Sequence, residues 1–261
     1  MGVIANRDRE QIEHLKDEFG RSGASLVEFP ADGRLEATHL ASHRLDLVML
    51  KVTTHPANAR TFDALARTGY RHLNSLDSVK LCQSRRATFA FANAHIADVA
   101  TPRAFATHGE ASSALADGTV VWVRRDAHNI PLPDRVLGVA RTTRDLDDLV
   151  QGHDASTLFF QEFLANAGDP YKAYVVGQHV VVGHRCEAGG RVVLEPVAMP
   201  ASVTDTIVRV GHAFAMSVYG IDFFYRDGRV VILDVNDFPS FRGVPDASRR
   251  IVEFVATNYF A

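Results

Sequence analysis

Short apolar runs alternate with amphipathic stretches over the N-terminal part of the chain. The apolar runs predict strands at 3–5, 25–29, 46–52 and 71–73. The amphipathic stretches predict helices at 9–21 and 56–68. This β-α-β order predicts a small parallel sheet with helices on its faces, and the third strand is apolar enough to be buried on both sides. Because no Gly-x-Gly-x-x-Gly follows the first strand, a dinucleotide-binding fold is not supported.

The rest of the chain predicts longer helices and pairs of strands. Helices are predicted at about 75–94, 143–150, 200–219 and 246–259. Strands are predicted at 119–125, 158–164, 169–177 and 180–186. The last two form a hairpin around Gly177-Gln178. Ser75 or Asp77 is expected to cap the first of these helices, and Thr143 the second.

The stretch from Gly220 to Pro239 predicts two strands that carry acids. Two apolar runs flank the Asp227-Gly228 pair, which favours a tight hairpin turn. Asp222 lies early in the first strand and Asp234 near the end of the second, and Asn236 leaves the same face as Asp234. On paired strands these oxygen donors converge and suit a Mg²⁺ ion that also binds nucleotide phosphates. The alternative is that the two aspartates are edge charges and Asn236 is a turn residue.

Composition restricts the class of protein. The formal net charge is −3, so no overall positive field attracts nucleic acid. No run reaches the roughly 18 apolar residues of a membrane span, and no membrane partner is expected. Cys82 and Cys186 are too few for a disulfide framework, so we expect a cytoplasmic protein.

Asp222, followed by Asp234-Val-Asn236 and then Pro239, resembles the metal-binding end of the ATP-grasp enzymes. Ligases of that superfamily usually have Glu where this chain has Asp234. The version Asp-Val-Asn-Asp-Phe-Pro-Ser-Phe is similar to the inositol trisphosphate kinase branch and to some bacterial glutamate-ligase-like members. The resemblance implies ATP as the nucleotide, and Asp222, Asp234 and Asn236 as ligands of Mg²⁺.

The resemblance covers nearly the whole chain and implies the glutathione synthetase-type ATP-binding fold. This is an α/β fold with α+β lobes, in which a small parallel-sheet domain precedes the two ATP-grasp lobes. We predict an N-terminal α/β domain at 1–80, a connecting helix and central lobe at 81–160, and a C-terminal lobe with the metal site at 161–261. ATP is expected between the central and C-terminal lobes.

Cations at two positions are implied to hold the ATP phosphates. Arg124 occupies the place of the family's phosphate-binding Lys in a strand, and Arg can bind phosphate as well. Arg85 and Arg86 stand where the family opens a helix with a phosphate-binding Lys or Arg; we assign Arg86, although the sequence does not decide between the two. His128 lies in the loop that replaces the usual Gly-rich one, where a solvated side chain is the expectation.

The sequence Gln161-Glu162-Phe163-Leu164 resembles the hinge strand that lies beside adenine in this superfamily. The resemblance implies that backbone groups from Glu162 to Leu164 bind the adenine edge and that Glu162 or a nearby acid binds ribose. The alternative is a buried strand with Glu162 at its exposed end.

Four further cations are implied near the reacting groups. Lys172 and Arg185 lie in strands between apolar residues, so each needs an anionic partner, which the γ-phosphate or an acyl phosphate would supply. An ion pair between Arg185 and Glu187 is the alternative for the second. Arg242 is implied to face the substrate pocket. Lys51 is a substrate-binding candidate because Leu-Lys-Val-Thr matches a pattern of the kinase branch; the alternative is a solvated lysine at the end of a strand.

The resemblance implies an ATP- and Mg²⁺-dependent enzyme and leaves its reaction open. A carboxylate–amine ligase for amino acids or peptides, working through an acyl phosphate, is favoured by the short chain and the lack of a basic surplus. A kinase related to the inositol trisphosphate kinases is favoured by Lys172 and Asp234. A nucleotide-binding remnant without turnover is the third interpretation. The expected partner is a small-molecule acceptor, and a homodimer stays open.

Overall fold

In the part of the chain that the structure describes, the strands form three separate sheets. A computed structural model describes residues 1–5, 8–30, 36–52, 58–128, 134–165, 168–188 and 191–260. The N-terminal elements are β1 (Gly2–Ala5), α1 (Arg9–Arg21), β2 (Val27–Pro30), α2 (Ala37–Ala41), β3 (Val48–Lys51) and α3 (Asn58–Ala66). Their strands form a parallel sheet of order β2-β1-β3, which confirms the predicted β-α-β arrangement.

The fourth strand predicted at 71–73 is wrong. His72 makes only a single parallel bridge to Val48, where Leu73 donates its N–H to the Val48 carbonyl. The chain then turns at once into α4 (Leu76–Leu81), which Ser75 caps by accepting the N–H of Ser78. Three residues before a capped helix are too few to form a full ladder.

The single helix predicted from 75 to 94 is two helices. The second helix, α5 (Arg85–His95), begins at Ser84, whose hydroxyl accepts the N–H of Ala87. Ser84 also donates to a carboxylate oxygen of Asp126 at 2.7 Å. A serine whose hydroxyl bonds to nearby backbone and side-chain groups is more stable as a helix cap than inside a helix. The predicted helix is therefore interrupted at Ser84.

The central sheet is antiparallel and has one apolar face covered by helices. The elements that follow α5 are β4 (Val99–Ala100), β5 (Ala104–Phe105), α6 (His108–Ala116), β6 (Val121–Arg125), β7 (Val136–Ala140), α7 (Thr143–Val150) and β8 (Leu158–Glu162). The sheet order is β5-β8-β6-β7. Val121, Val123 and Phe160 pack with α6 and α7. Thr142, one residue earlier than predicted, caps α7 in a capping box with Asp145.

The third sheet is the largest of the three. Its remaining elements are β9 (Tyr171–Val176), β10 (His179–Ala188), β11 (Arg191–Pro196), α8 (Ala201–Ala213), β12 (Val218–Arg226), β13 (Arg229–Asn236) and α9 (Ala247–Tyr259). The strand order is β11-β10-β9-β12-β13-β4, antiparallel except for the last pair. Helix α8 is shorter than predicted because Tyr219, already in β12, packs beneath it and donates its hydroxyl to the Ile207 carbonyl.

A β-bulge in β13 sets the direction of its polar residues. Asp222 is opposite Asp234, but the next residue, Phe223, is opposite Ile232, so Leu233 is the extra residue of the bulge. Ile232 and Val235 consequently reach the same apolar core beneath α8 although they differ by an odd number of positions. Without the bulge, Asp234 would share the buried face of Ile232; with it, Asp234 leaves by the opposite face.

The domain boundaries at 80 and 160 stay a prediction. The three sheets fall along the chain in the predicted order, except that β4 pairs with β13 and so joins the last sheet. In the described part of the chain, the helices lack the combination of length and apolar character needed to cross a membrane.

Candidate active site

Two carboxylates and an amide lie together on one face of the β12–β13 hairpin. Asp222 and Asp234 are directly opposite each other, and Asn236 is two residues further along β13, opposite Gly220. Opposite residues of an antiparallel pair project from the same face of the sheet. The structure therefore brings together the three residues that the sequence predicted as metal ligands. Their role as ligands stays a prediction.

Each carboxylate has one oxygen engaged by a cationic or imidazole side chain. Lys172, opposite Asp222 on β9, donates to Oδ1 of Asp222. His128 Nε2 lies 2.8 Å from Oδ2 of Asp234. The second oxygen of each aspartate and the Asn236 amide oxygen make up a small, hard donor set. This set fits a Mg²⁺ ion that completes its shell with water and phosphate oxygens. Across the described residues, no cluster of three or more His, Cys, Asp or Glu side chains offers a fuller cage.

Asp234 is the electrostatic centre of the site. Only 9% of the residue is exposed, and burial raises the pKa of its carboxyl. The positive field of His128, Arg85 and Arg124 lowers this pKa by more, so the net shift is well below the ordinary value. Asp234 is therefore an anion at neutral pH and offers a negative charge to a metal ion.

Arg85 and Arg124 lie near enough to Asp234 for their charges to act on its carboxyl. Arg85 begins α5 and is buried; its Nη1 donates to the carbonyls of Arg125 and Ala127 at 2.8 and 2.7 Å. Its Nε and Nη2 are buried and make no hydrogen bond with the described residues. Burial, and then the nearby charge of Arg85, lower the pKa of Arg124 to about 10, which leaves it a cation at neutral pH. Two buried guanidinium groups this close need an anionic partner.

Arg86, the residue assigned to phosphate from the sequence, has a different environment from Arg85. Its guanidinium donates to the carbonyls of Ala106 and Leu158 at 3.2 and 2.9 Å and so ties α5 to the central sheet. Adjacent residues of a helix point in different directions, and here the first of the pair faces Asp234. The phosphate role of Arg86 stays a prediction, and Arg85 is the residue with unused donors.

The hinge segment contributes a side chain and a backbone group. Gln161 accepts a hydrogen bond from Nη1 of Arg124 at 3.2 Å, and Arg124 also lies over the Trp122 ring. The N–H groups of Glu162 and Phe163 donate to neighbouring backbone carbonyls. The Leu164 N–H donates to no backbone carbonyl of the described residues. Among the described residues of this segment it is a donor without a backbone acceptor, and it lies where the sequence predicts adenine.

The four remaining predicted cations occupy unlike surroundings. Lys172 contacts Asp222 as described. Arg185 is exposed on β10 and forms no ion pair with the described residues, Glu187 included. Arg242 is half exposed and lies 3.6 Å from Asp8. The catalytic roles of these three cations stay predictions.

Lys51 is fully buried, so the alternative of a solvated lysine is wrong. Its Nζ donates to the carbonyls of Phe238 and Pro239, both at 3.0 Å, and forms an ion pair with Asp8 at 3.2 Å. These contacts fix the segment after β13 to the end of β3. The predicted substrate contact of Lys51 is untested.

The sequence missed the position of His128. The side chain is buried, with Nδ1 3.1 Å from the Cys82 carbonyl and Nε2 on Asp234, whereas the sequence predicted a solvated loop residue. Nothing in the local pattern distinguishes the two cases, because both partners lie far away in the chain. The two arginines that follow one another at Arg85-Arg86 were the available signal for the other buried cation.

The whole chain is similar to solved ATP-grasp structures. A RimK-domain ATP-grasp protein from Sphaerobacter thermophilus covers 97% of this chain and 99% of its own, with a TM-score of 0.77 and 17% identity. D-alanine–D-alanine ligase from Bacillus anthracis, complexed with ATP, covers 99% and 96%, with a TM-score of 0.74 and 11% identity. The ATP-grasp ligase PsnB, complexed with a minimal precursor, Mg and ADP, covers 98% and 96%, with a TM-score of 0.71 and 18% identity.

No protein-family model matches the sequence, and no curated protein matches it either. The likeness therefore lies in the three-dimensional arrangement, at identities that sequence comparison alone does not detect. It agrees with the three sheets described above and with the resemblance of the Asp222–Pro239 segment. This protein has the ATP-grasp fold.

Proposed function

We propose that the protein is an ATP- and Mg²⁺-dependent ligase that joins a carboxylate to an amine through an acyl phosphate. The observation that carries the ATP and metal part of the proposal is the meeting of Asp222 and Asp234 with Arg85, Arg124 and Lys172 between the central and C-terminal sheets. The similar proteins support the choice of a ligase reaction. A cluster of buried and half-buried acids and cations suits a polyphosphate that carries a metal ion, because the phosphates then pair with the cations and the metal ion with the acids.

The residues have separate tasks in this proposal. Arg85 and Arg124 bind the phosphates, using Nε and Nη2 of Arg85 and Nε of Arg124, which are buried without partners among the described residues. Asp222, Asp234 and Asn236 hold Mg²⁺, which supplies charge neutralisation across the phosphate oxygens when it is bound. Leu164 donates its N–H to adenine, and Glu162 accepts from the ribose.

Lys172 is proposed to stabilise the group that is transferred. The substrate carboxylate attacks the γ-phosphorus, the bond to the bridging oxygen breaks, and ADP leaves. The amine nitrogen then attacks the acyl carbon, the C–O bond breaks, phosphate leaves and the nitrogen loses its proton. Lys172, with Arg185 and Arg242 at the open side, would keep the charge of the anhydride balanced until the amine arrives.

The similar proteins support this choice of reaction. Those described above are named as an ATP-grasp protein and two ligases, and two of them are complexed with ATP or with Mg and ADP. A kinase built on the same fold would use the same phosphate and metal residues, so the geometry of the acids and cations favours neither reaction.

Trapping with hydroxylamine tests the proposal. The protein is incubated with ATP, Mg²⁺ and a panel of carboxylates, and hydroxylamine is added to intercept the acyl phosphate as a hydroxamate. A hydroxamate that requires ATP supports the ligase. Release of ADP with a stable phosphoester and no hydroxamate would point to a kinase instead. Nucleotide binding without any product across carboxylates and alcohols would identify a remnant.

A further inference from the structure

A second cleft lies beside the site described above and shares Arg242 with it. It has a volume of about 930 Å³ and is bordered by one face of α1 on one side and by the 240–249 segment on the other. Known small-ligand pockets span about 300 to 1,000 Å³, so this cleft has room for more than a single amino acid. One of its lining residues is Asp8, which contacts both Arg242 and the buried Lys51. Through Lys51 the cleft adjoins the segment that follows β13.

Acidic side chains outnumber basic ones in the lining of the cleft. The three arginines on its wall all have carboxylate partners: Arg21 with Glu18, Arg242 with Asp8, and Arg249 with Asp246 and Glu253. In contrast, Glu10 and Asp17, both exposed on the α1 wall, form no ion pair with the described residues. The two unpaired carboxylates give the cleft an attraction for cations.

A buried amide lies on the same wall. Gln11 is only 7% exposed, and neither its Nε2 nor its Oε1 forms a hydrogen bond in the described structure. An unpaired buried amide costs roughly 1–3 kcal/mol, which folding does not tolerate without a compensating gain elsewhere. A side-chain amide whose N–H and C=O groups both lack partners can be satisfied by a single peptide group. The peptide C=O accepts from the amide N–H, and the peptide N–H donates to the amide oxygen.

We propose that this cleft binds a peptide segment that carries a lysine or arginine side chain. Glu10 and Asp17 bind the cationic group, and Gln11 pairs with a peptide unit of the same ligand. The further statement that this peptide is the substrate of the enzyme rests on the ligase proposal. The binding of the peptide in the cleft is independent of that proposal.

The test measures peptide binding to the full chain without nucleotide. Acetyl-Ala-Lys-Ala-amide is titrated calorimetrically, with acetyl-Ala-norleucine-Ala-amide as the uncharged probe of matched length. The lysine peptide should bind about tenfold more tightly, which is the effect of two partly exposed ion pairs. Glu10→Gln with Asp17→Asn should remove this preference, whereas Asp63→Asn, an exposed acid of α3 outside the cleft, should leave it intact.

Gln11→Met separates a binding role from a structural one. Methionine has a similar shape and removes the unpaired amide, so thermal stability should be unchanged or higher while both peptides bind more weakly. Lower stability would show that Gln11 is structural and would overturn its assignment. Equal affinity for the two peptides, or an unchanged preference in the double variant, would overturn the proposal as a whole.

The ligase proposal and the peptide-cleft proposal can be refuted independently of each other. Charge-dependent peptide binding without hydroxamate from any carboxylate supports the cleft and counts against the ligase. Hydroxamate formation with no charge-dependent binding supports the ligase and refutes the cleft.

Discussion

Asp222 lies directly opposite Asp234 across the antiparallel strands β12 and β13, and each carboxylate contacts a cationic or imidazole group from a different element. Two aspartates so close together repel one another unless positive charge lies between or around them. Lys172 and the two buried arginines supply that charge in the protein itself, and His128 contacts the Asp234 carboxylate through Nε2. A metal ion bound together with the nucleotide would reduce the repulsion between the two aspartates further.

Replacing Asp234 with asparagine should abolish turnover while the protein stays folded. The amide has the same shape but lacks the charge on which metal binding depends, and the loss should be at least about a hundredfold. ATP turnover and thermal unfolding are measured together. Asp227→Asn is the matched control, because Asp227 lies in the turn of the same hairpin at a positive φ that asparagine also adopts. Equal turnover in the two variants would exclude the metal role.

Arg124→Ala should raise the KM for ATP by roughly ten- to a hundredfold, since a charged hydrogen bond to phosphate contributes about 1.5–3 kcal/mol. Arg9→Ala is the control; Arg9 is exposed and pairs, among the described residues, with Glu13 and Glu28. Because Arg124 also donates to Gln161, unfolding of both variants is measured. A KM that changes equally in both would make Arg124 a strand residue without a nucleotide role.

Lys51→Met should lower the free energy of unfolding by about 3 kcal/mol, because Asp8 and two backbone carbonyls lose their shared buried donor. Lys80→Met, in an exposed position of α4, should have little effect on unfolding. Urea denaturation gives both values. A fully stable Lys51 variant with an increased KM for the acceptor would instead favour the substrate contact predicted from the sequence.

His128→Ala should destabilise the protein by about 2 kcal/mol in the presence of a chelator, since it leaves the buried Asp234 and the Cys82 carbonyl without their shared partner. Added Mg²⁺ and nucleotide should restore part of that loss by binding Asp234. His153→Ala, an exposed histidine, is the comparison. If neither histidine variant changes the unfolding curve, the His128 contact does not stabilise the protein.

The sequence by itself determined the local elements and the polar residues of the hairpin. Apolar runs of strand length and amphipathic stretches of helix length indicate the N-terminal sheet, and the Asp227-Gly228 turn indicates the β12–β13 pair. Alternation along a strand is a local property, so it can be read from neighbouring residues. Asp234 and Asn236 share a face because of that alternation, but the turn alone would place Leu233 opposite Asp222; the bulge brings Asp234 there instead.

Only the tertiary structure decided which cations meet those acids. The bulge at Leu233 depends on how β13 packs beneath α8. The choice of Arg85 over Arg86 depends on the position of Ser84, which begins α5. His128 becomes buried because its partners, Cys82 and Asp234, come from two distant parts of the chain. Contacts of this kind are selected by the packing and charge of the whole fold, and no local pattern contains them.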